Sequence, residues 1–159
     1  MSKFMMIALS AIVLLSGCQS KSAFKFSEDI VAKEQSLVKD IEKTEDQVEM
    51  FISNQEFDSM AIVSERMEKL VDEKLEEVKA MKAPDVKEAE NFKAAAIKYF
   101  AFMKSMYTSY KKYGLAESQE ERDEELEEMQ DILANKNKAI SDMQMAQRKY
   151  AEANGFKIR

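Results

Sequence analysis

Clustered carboxylates can move protons or hold calcium, and residues 120 to 128 carry seven of them: Glu120, Glu121, Asp123, Glu124, Glu125, Glu127 and Glu128. On an amphipathic helix such a run forms the solvated face, so no catalytic residue is assigned to it. Thioethers favour soft metals such as copper, and nine of the twelve methionines follow residue 17, with Met143 and Met145 forming a Met-x-Met pair. Residues two apart on a helix point to different faces, and methionine on an apolar stripe is core filler. No metal site is therefore assigned. The chain has no histidine, which removes Ser-His and Cys-His nucleophiles, the usual zinc sites and the Glu-x-x-His pattern of di-iron bundles. Without a glycine-rich phosphate loop either, the sequence reads as non-enzymatic and without a cofactor.

The one cysteine, Cys18, ends the tetrapeptide Leu15-Ser16-Gly17-Cys18. Ahead of it Lys3 is the only charge, and Phe4 to Leu15 is an apolar stretch of 12 residues broken only by Ser10. That is the layout of a cleaved secretory signal, too short for the roughly 20 residues that a spanning helix needs. Residues 1 to 18 resemble a bacterial lipoprotein signal, with Leu15, Ser16, Gly17 and Cys18 as the lipobox. The resemblance implies diacylglyceryl transfer to the Cys18 thiol, cleavage between Gly17 and Cys18, and a durable anchor of two or three acyl chains. Gln19, rather than an aspartate, after the cysteine implies sorting to an outer membrane. Membrane lipid is thus the first expected partner, and the cell envelope the expected location.

Cleavage there would leave 142 of the 159 residues, enough for one domain with a sizeable core. Loss of Lys3 takes the formal net charge from −6 to −7, which argues against a nucleic-acid partner. With Cys18 lipidated no thiol remains for a disulfide, and packing alone must stabilise the fold.

What positions these residues is helix throughout. Three glycines, one proline and apolar residues recurring at three and four predict an all-α chain. Residues 18 to 26 are expected to be a short lipidated tether before a domain spanning 27 to 159. Ser27 predicts the first N-cap, opening a stripe of Ile30, Leu37, Val38, Ile41, Val48, Phe51 and Ile52 that stops near Ser53-Asn54. A second helix runs from Phe57 to just before Pro84, since a residue preceding proline resists helical geometry. Asp85 with Glu88 predicts a capping box for a third, and Gly114 a left-handed stop for it. Ser118 with Glu121 predicts the same box for a fourth helix, whose stripe of Leu126, Met129, Leu133, Ile140, Met143 and Tyr150 ends at Asn154-Gly155. Spans of roughly 27, 27, 29 and 37 residues, about 40 Å each for the first three, predict an up-down-up-down antiparallel four-helix bundle. The alternative is two long hairpins that complete their core as a homodimer.

The third helix is the richest in aromatic and thioether side chains. Tyr99, Phe102, Met103, Met106 and Tyr110 on it form either a wide buried stripe, tyrosine having an apolar body and a polar tip, or a groove for an apolar ligand or partner helix. Core packing is the expectation, with Met103 and Leu133 both buried. Residues 27 to 155 resemble small helical-bundle surface lipoproteins of uncharacterised function, which implies fold and location and no site residue. The sequence therefore points to an anchored structural or interaction module with an envelope protein as partner, and secondarily to a carrier or receptor for a small apolar ligand.

Overall fold

The computed structural model describes residues 11–12 and 18–158. The chain is all-α, with five helices among the described residues: α1 (Cys18–Asn54), α2 (Phe57–Ala80), α3 (Ala89–Leu115), α4 (Gln119–Ala134) and α5 (Lys136–Ala153). A two-residue strand β1 (Ala11–Ile12) pairs antiparallel with β2 (Lys157–Ile158). Among the described residues no helix is long and apolar enough to cross a membrane.

One contiguous core runs through the molecule. Ile30, Ile41, Met60, Met67, Val71, Phe92, Phe100, Met103 and Tyr107 are all essentially solvent-free. Helices α2 and α3 pair most extensively; α1 leans on α2, and α4 and α5 both pack on α3. Cross-helix pairs fix the α2–α3 register: Lys104 bonds Asp72 at 2.7 Å, Thr108 Oγ1 donates to Glu68 at 2.6 Å, and Lys93 donates to the Met81 carbonyl at 2.6 Å. Lys111 bonds the same Glu68.

Several predicted boundaries hold. Helix α2 ends ahead of Pro84. The Ser118 hydroxyl accepts from the Glu121 amide at 3.1 Å while the Glu121 carboxylate accepts from the Ser118 amide at 3.3 Å, closing the predicted capping box. Gly155 takes φ +73°, and the Phe156 and Gly155 amides donate back to the Ala151 and Glu152 carbonyls, a Schellman stop. At the end of α1 the same pattern is built on Gln55, at φ 59°.

Six expectations are corrected. Residues 18 to 26 are not a tether preceding the helix but its first turns, and Ser27 is a buried mid-helix residue rather than a cap. Ala23 and Phe26 extend the stripe backwards, and burial against the end of α5 holds these turns in helical form. Helix α3 starts at Ala89 rather than at the Asp85 box; Glu88 sits in the left-handed region at φ 60° with no side-chain cap. Gly114 lies inside α3, where its lack of a side chain admits the backbone of α2. The fourth predicted helix is two: at Asn135 the side-chain Nδ2 donates to the Asp131 carbonyl at 2.9 Å and the backbone N–H donates to Ile132. An asparagine that satisfies its own backbone in this way competes with the helical ladder. Finally Leu133 is only half-buried, because α4 buries Met129 alone completely. Met103, at 1% exposure, is core as expected.

Candidate functional site

Leu15, Ser16 and Gly17 lie outside the described residues; Cys18 is the first residue of α1. The acidic run falls on α4, where Glu120, Glu121, Asp123, Glu124, Glu127 and Glu128 are exposed and Glu125 is half-buried. Lys112 of α3 bonds Glu128 at 3.0 Å. Met143 is buried whereas Met145 is 46% exposed, so the Met-x-Met pair diverges.

The five groove candidates do not come together. Met103, Met106 and Tyr110 turn into the core. Tyr99 and Phe102 line a cleft of about 570 Å³ between α3 and α5. Its floor is small and apolar, with half-buried Ala95 from α3 and Ala139 and Ala146 from α5, while Ala94 and Met145 are exposed at its edge. Its rim is polar: Asn91, Lys98 and Glu88 on one wall, Asn135, Lys138, Asp142 and Lys149 on the other. Asn91 bonds Glu88 at 2.9 Å, and Lys138 pairs with Asp142. Lys98 and Lys149 have no acidic partner among the described residues.

Behind Tyr99 lies a feature that the apolar stripe had concealed. Glu34 of α1 is only 6% exposed, and the Tyr99 hydroxyl donates to it at 2.8 Å. Burial raises the Glu34 pKa above the ordinary 4.5, against the opposing hydrogen bond from Tyr99. Three turns along α1, Glu45 is raised likewise, first by burial. The Tyr110 hydroxyl lies 3.5 Å from it, the fully buried Tyr107 phenol faces it without a well-formed hydrogen bond, and Lys136 of α5 lowers the shift through its charge. Both tyrosines are in turn pushed up, by burial and then by the Glu45 charge. The signal in the sequence was the gap: Glu34 fills the stripe position between Ile30 and Leu37, and Glu45 the one between Ile41 and Val48.

The sign of the pH dependence follows. A carboxylate raised in the folded state takes up protons more readily there than when unfolded, so its contribution is most favourable below 4.5 and is lost as pH rises through the folded value. Glu68 shifts the other way: burial alone would raise it, but the bonds from Lys111 and Thr108 and the lysine charges outweigh that. Its contribution is lost only as pH falls below the ordinary range. The expected result is a urea midpoint that declines as pH rises above the ordinary carboxylate value of 4.5, and a flatter profile with a higher midpoint on the alkaline side in Glu34→Gln, which keeps the acceptor for Tyr99 without the charge. An unchanged slope in Glu34→Gln would show that the carboxylate is already solvated.

At the far end of α5 the aromatic side chains converge. Tyr150 stacks on Phe92 with ring centres 5.0 Å apart, meets Phe26 and Phe156 edge-on, and donates its hydroxyl to the Ala23 carbonyl at 3.0 Å. Asn154 donates to the Lys87 carbonyl at 2.9 Å, and Gln147 to Ser27 at 3.3 Å. The start of α1, the segment after Pro84 and the end of α5 thus meet at one end of the molecule. Comparison with protein-family models, curated proteins and solved structures returns no match for this chain.

Proposed function

We propose that the chain is a lipid-anchored protein of the cell envelope, a non-enzymatic helical bundle that serves as a structural or protein-interaction module. One observation carries the reading: Cys18, the residue that the lipobox resemblance marks for acylation, opens α1 directly. With no flexible spacer between lipid and helix, the bundle end holding Ala23, Lys87 and Tyr150 lies against the membrane surface. The pairing of β1 with β2 departs with the leader in this reading.

An up-down-up-down antiparallel arrangement is part of the proposal, with α4 and α5 together as the fourth member. Support comes from the α2–α3 register, in which Lys93, Lys104 and Thr108 meet Met81, Asp72 and Glu68 in reverse order. Support comes also from the meeting of Ala23 with Tyr150 and of Lys87 with Asn154 at one end. That end carries Lys21, Lys82, Lys87, Arg148, Lys149 and Lys157 in exposed positions, diluted by Glu28, Asp85 and Glu152. A cation beside an anionic membrane surface contributes about 1 kcal/mol, so the charges orient a bundle that the lipid holds.

Cys18→Ser tests the anchor. Metabolic labelling with a fatty-acid analogue should mark the wild-type chain and not the variant, and the variant should leave the membrane fraction if an ordinary signal peptidase processes it. Equal labelling of the two would overturn the proposal. Crosslinking in cells to a single envelope protein is the result expected of an interaction module.

A further inference from the structure

We propose that the cleft between α3 and α5 binds a single-chain anionic amphiphile, a free fatty acid, with the acyl chain on the alanine floor and the carboxylate at the unpaired lysines of the rim. The inference goes beyond the anchoring proposal and does not depend on it. The first argument is shape. At about 570 Å³ the cleft falls within the range of about 300 to 1,000 Å³ typical of small-ligand sites. Its walls run from Glu88 to Phe102 on α3 and from Asn135 to Lys149 on α5. Each wall is about 21 Å long at the helical rise, more than the roughly 15 Å that acyl chains fill in one bilayer leaflet.

The second argument is charge. The chain as a whole is acidic, at −6, yet this cleft is bordered by Lys98, Lys138 and Lys149 against Glu88 and Asp142. Lys138 is paired with Asp142, which leaves Lys98 and Lys149 as cations on opposite walls against the one remaining carboxylate, Glu88, and gives the cleft a net charge of +1. A neutral apolar ligand gains nothing from these two, and a dianionic phosphate gains nothing from the alanines. An acyl chain ending in one carboxylate uses both. The third argument is exposure: Met145, at 46%, and half-buried Phe102 leave apolar surface at the cleft that such a chain would cover.

The chain has no tryptophan, so Phe102→Trp supplies a single reporter at the cleft. Sodium laurate, below its micelle-forming concentration, is titrated into the purified full chain in detergent-free buffer. The expected result is a saturable blue shift of emission, about tenfold weaker when exposed Lys98 and Lys149 are both changed to glutamate, and absent in Ala95→Phe, which fills the floor. Far-UV circular dichroism establishes that each variant is folded; should Ala95→Phe fail to fold, the charge variant alone decides. A shift of equal affinity in the charge variant, an equal response to the uncharged dodecyl maltoside, or no saturable shift at all would overturn the proposal. So would binding to anionic phosphatidylglycerol vesicles with monomeric laurate silent, an outcome that would make this face a membrane contact.

Discussion

Tyr150→Ala should cost the fold about 3 to 5 kcal/mol, the range for truncating a large buried aromatic. Tyr150 is solvent-free and ties α5 to two segments distant in sequence: it stacks on Phe92 of α3, meets Phe26 of α1 edge-on and bonds the Ala23 carbonyl, and it also meets nearby Phe156 edge-on. Helices α1 and α5 otherwise touch little, so the loss falls on the joint that closes this end. Aromatic pairs of this kind add about 0.5 to 1.5 kcal/mol each beyond burial. Tyr150→Phe separates the contributions: it keeps the ring contacts and loses the hydroxyl bond, costing about 1 kcal/mol. Urea denaturation of the three proteins checks the order. A Tyr150→Ala variant within 1 kcal/mol of wild type would mean that α5 contributes little to closing the bundle.

Gly114→Val should cost about 3 kcal/mol, at the upper end of overpacking penalties. A Cβ at this position would stand 2.7 Å from the Phe57 carbonyl oxygen and 2.8 Å from the Ala61 amide nitrogen. Both are backbone atoms, which cannot rotate away as a flexible side chain would, so α2 and α3 must separate along the most extensive pairing in the molecule. Gly114→Ala meets the same obstacle but recovers about 1 kcal/mol of helix propensity, and should fall between wild type and the valine variant. Gly155 provides the contrast. Its Cβ would meet nothing within 4 Å, and only the positive φ of 73° opposes a side chain there, so Gly155→Ala should cost about 1 kcal/mol. Thermal melts that ranked Gly155→Ala as the more damaging would refute the close approach.

The sequence carried the elements whose signals are local. Pro84, the Ser118–Glu121 box and Asn154-Gly155 each act through the backbone within a few residues, and all three stops and starts were legible. What was missed depended on distant partners. Ser27 is a good cap on local grounds, but Ala23 and Phe26 find Tyr150 and Phe92 more than 60 residues away, and the helix continues through it. Gly114 has the look of a helix stop until Phe57 and Ala61 are brought beside it. Glu34 and Glu45 escape a reading that counts a hydrophobic stripe by what is apolar; the tyrosines whose hydroxyls donate to them in the core lie 65 residues on. Of the five residues grouped on α3, Tyr99 and Phe102 border the cleft toward α5, Tyr99 while itself largely buried, whereas Met103, Met106 and Tyr110 belong to the core. Periodicity gave the face of α3 but could not say how close α5 would stand to it.

The interruption at Asn135 divides more than a helix. Because the backbone ladder restarts there, with the Ala139 amide taking the Asn135 carbonyl, fraying of α4 need not travel into α5. Helix α4 buries Met129 alone completely and rests chiefly on α3, while α5 is fastened at its other end by Tyr150 and Asn154. The two halves of one apparent helix are therefore expected to open separately. In amide exchange with heavy water, residues 119 to 134 should take up deuterium through local opening well before residues 143 to 151, which wait for the joint with α1 to come apart.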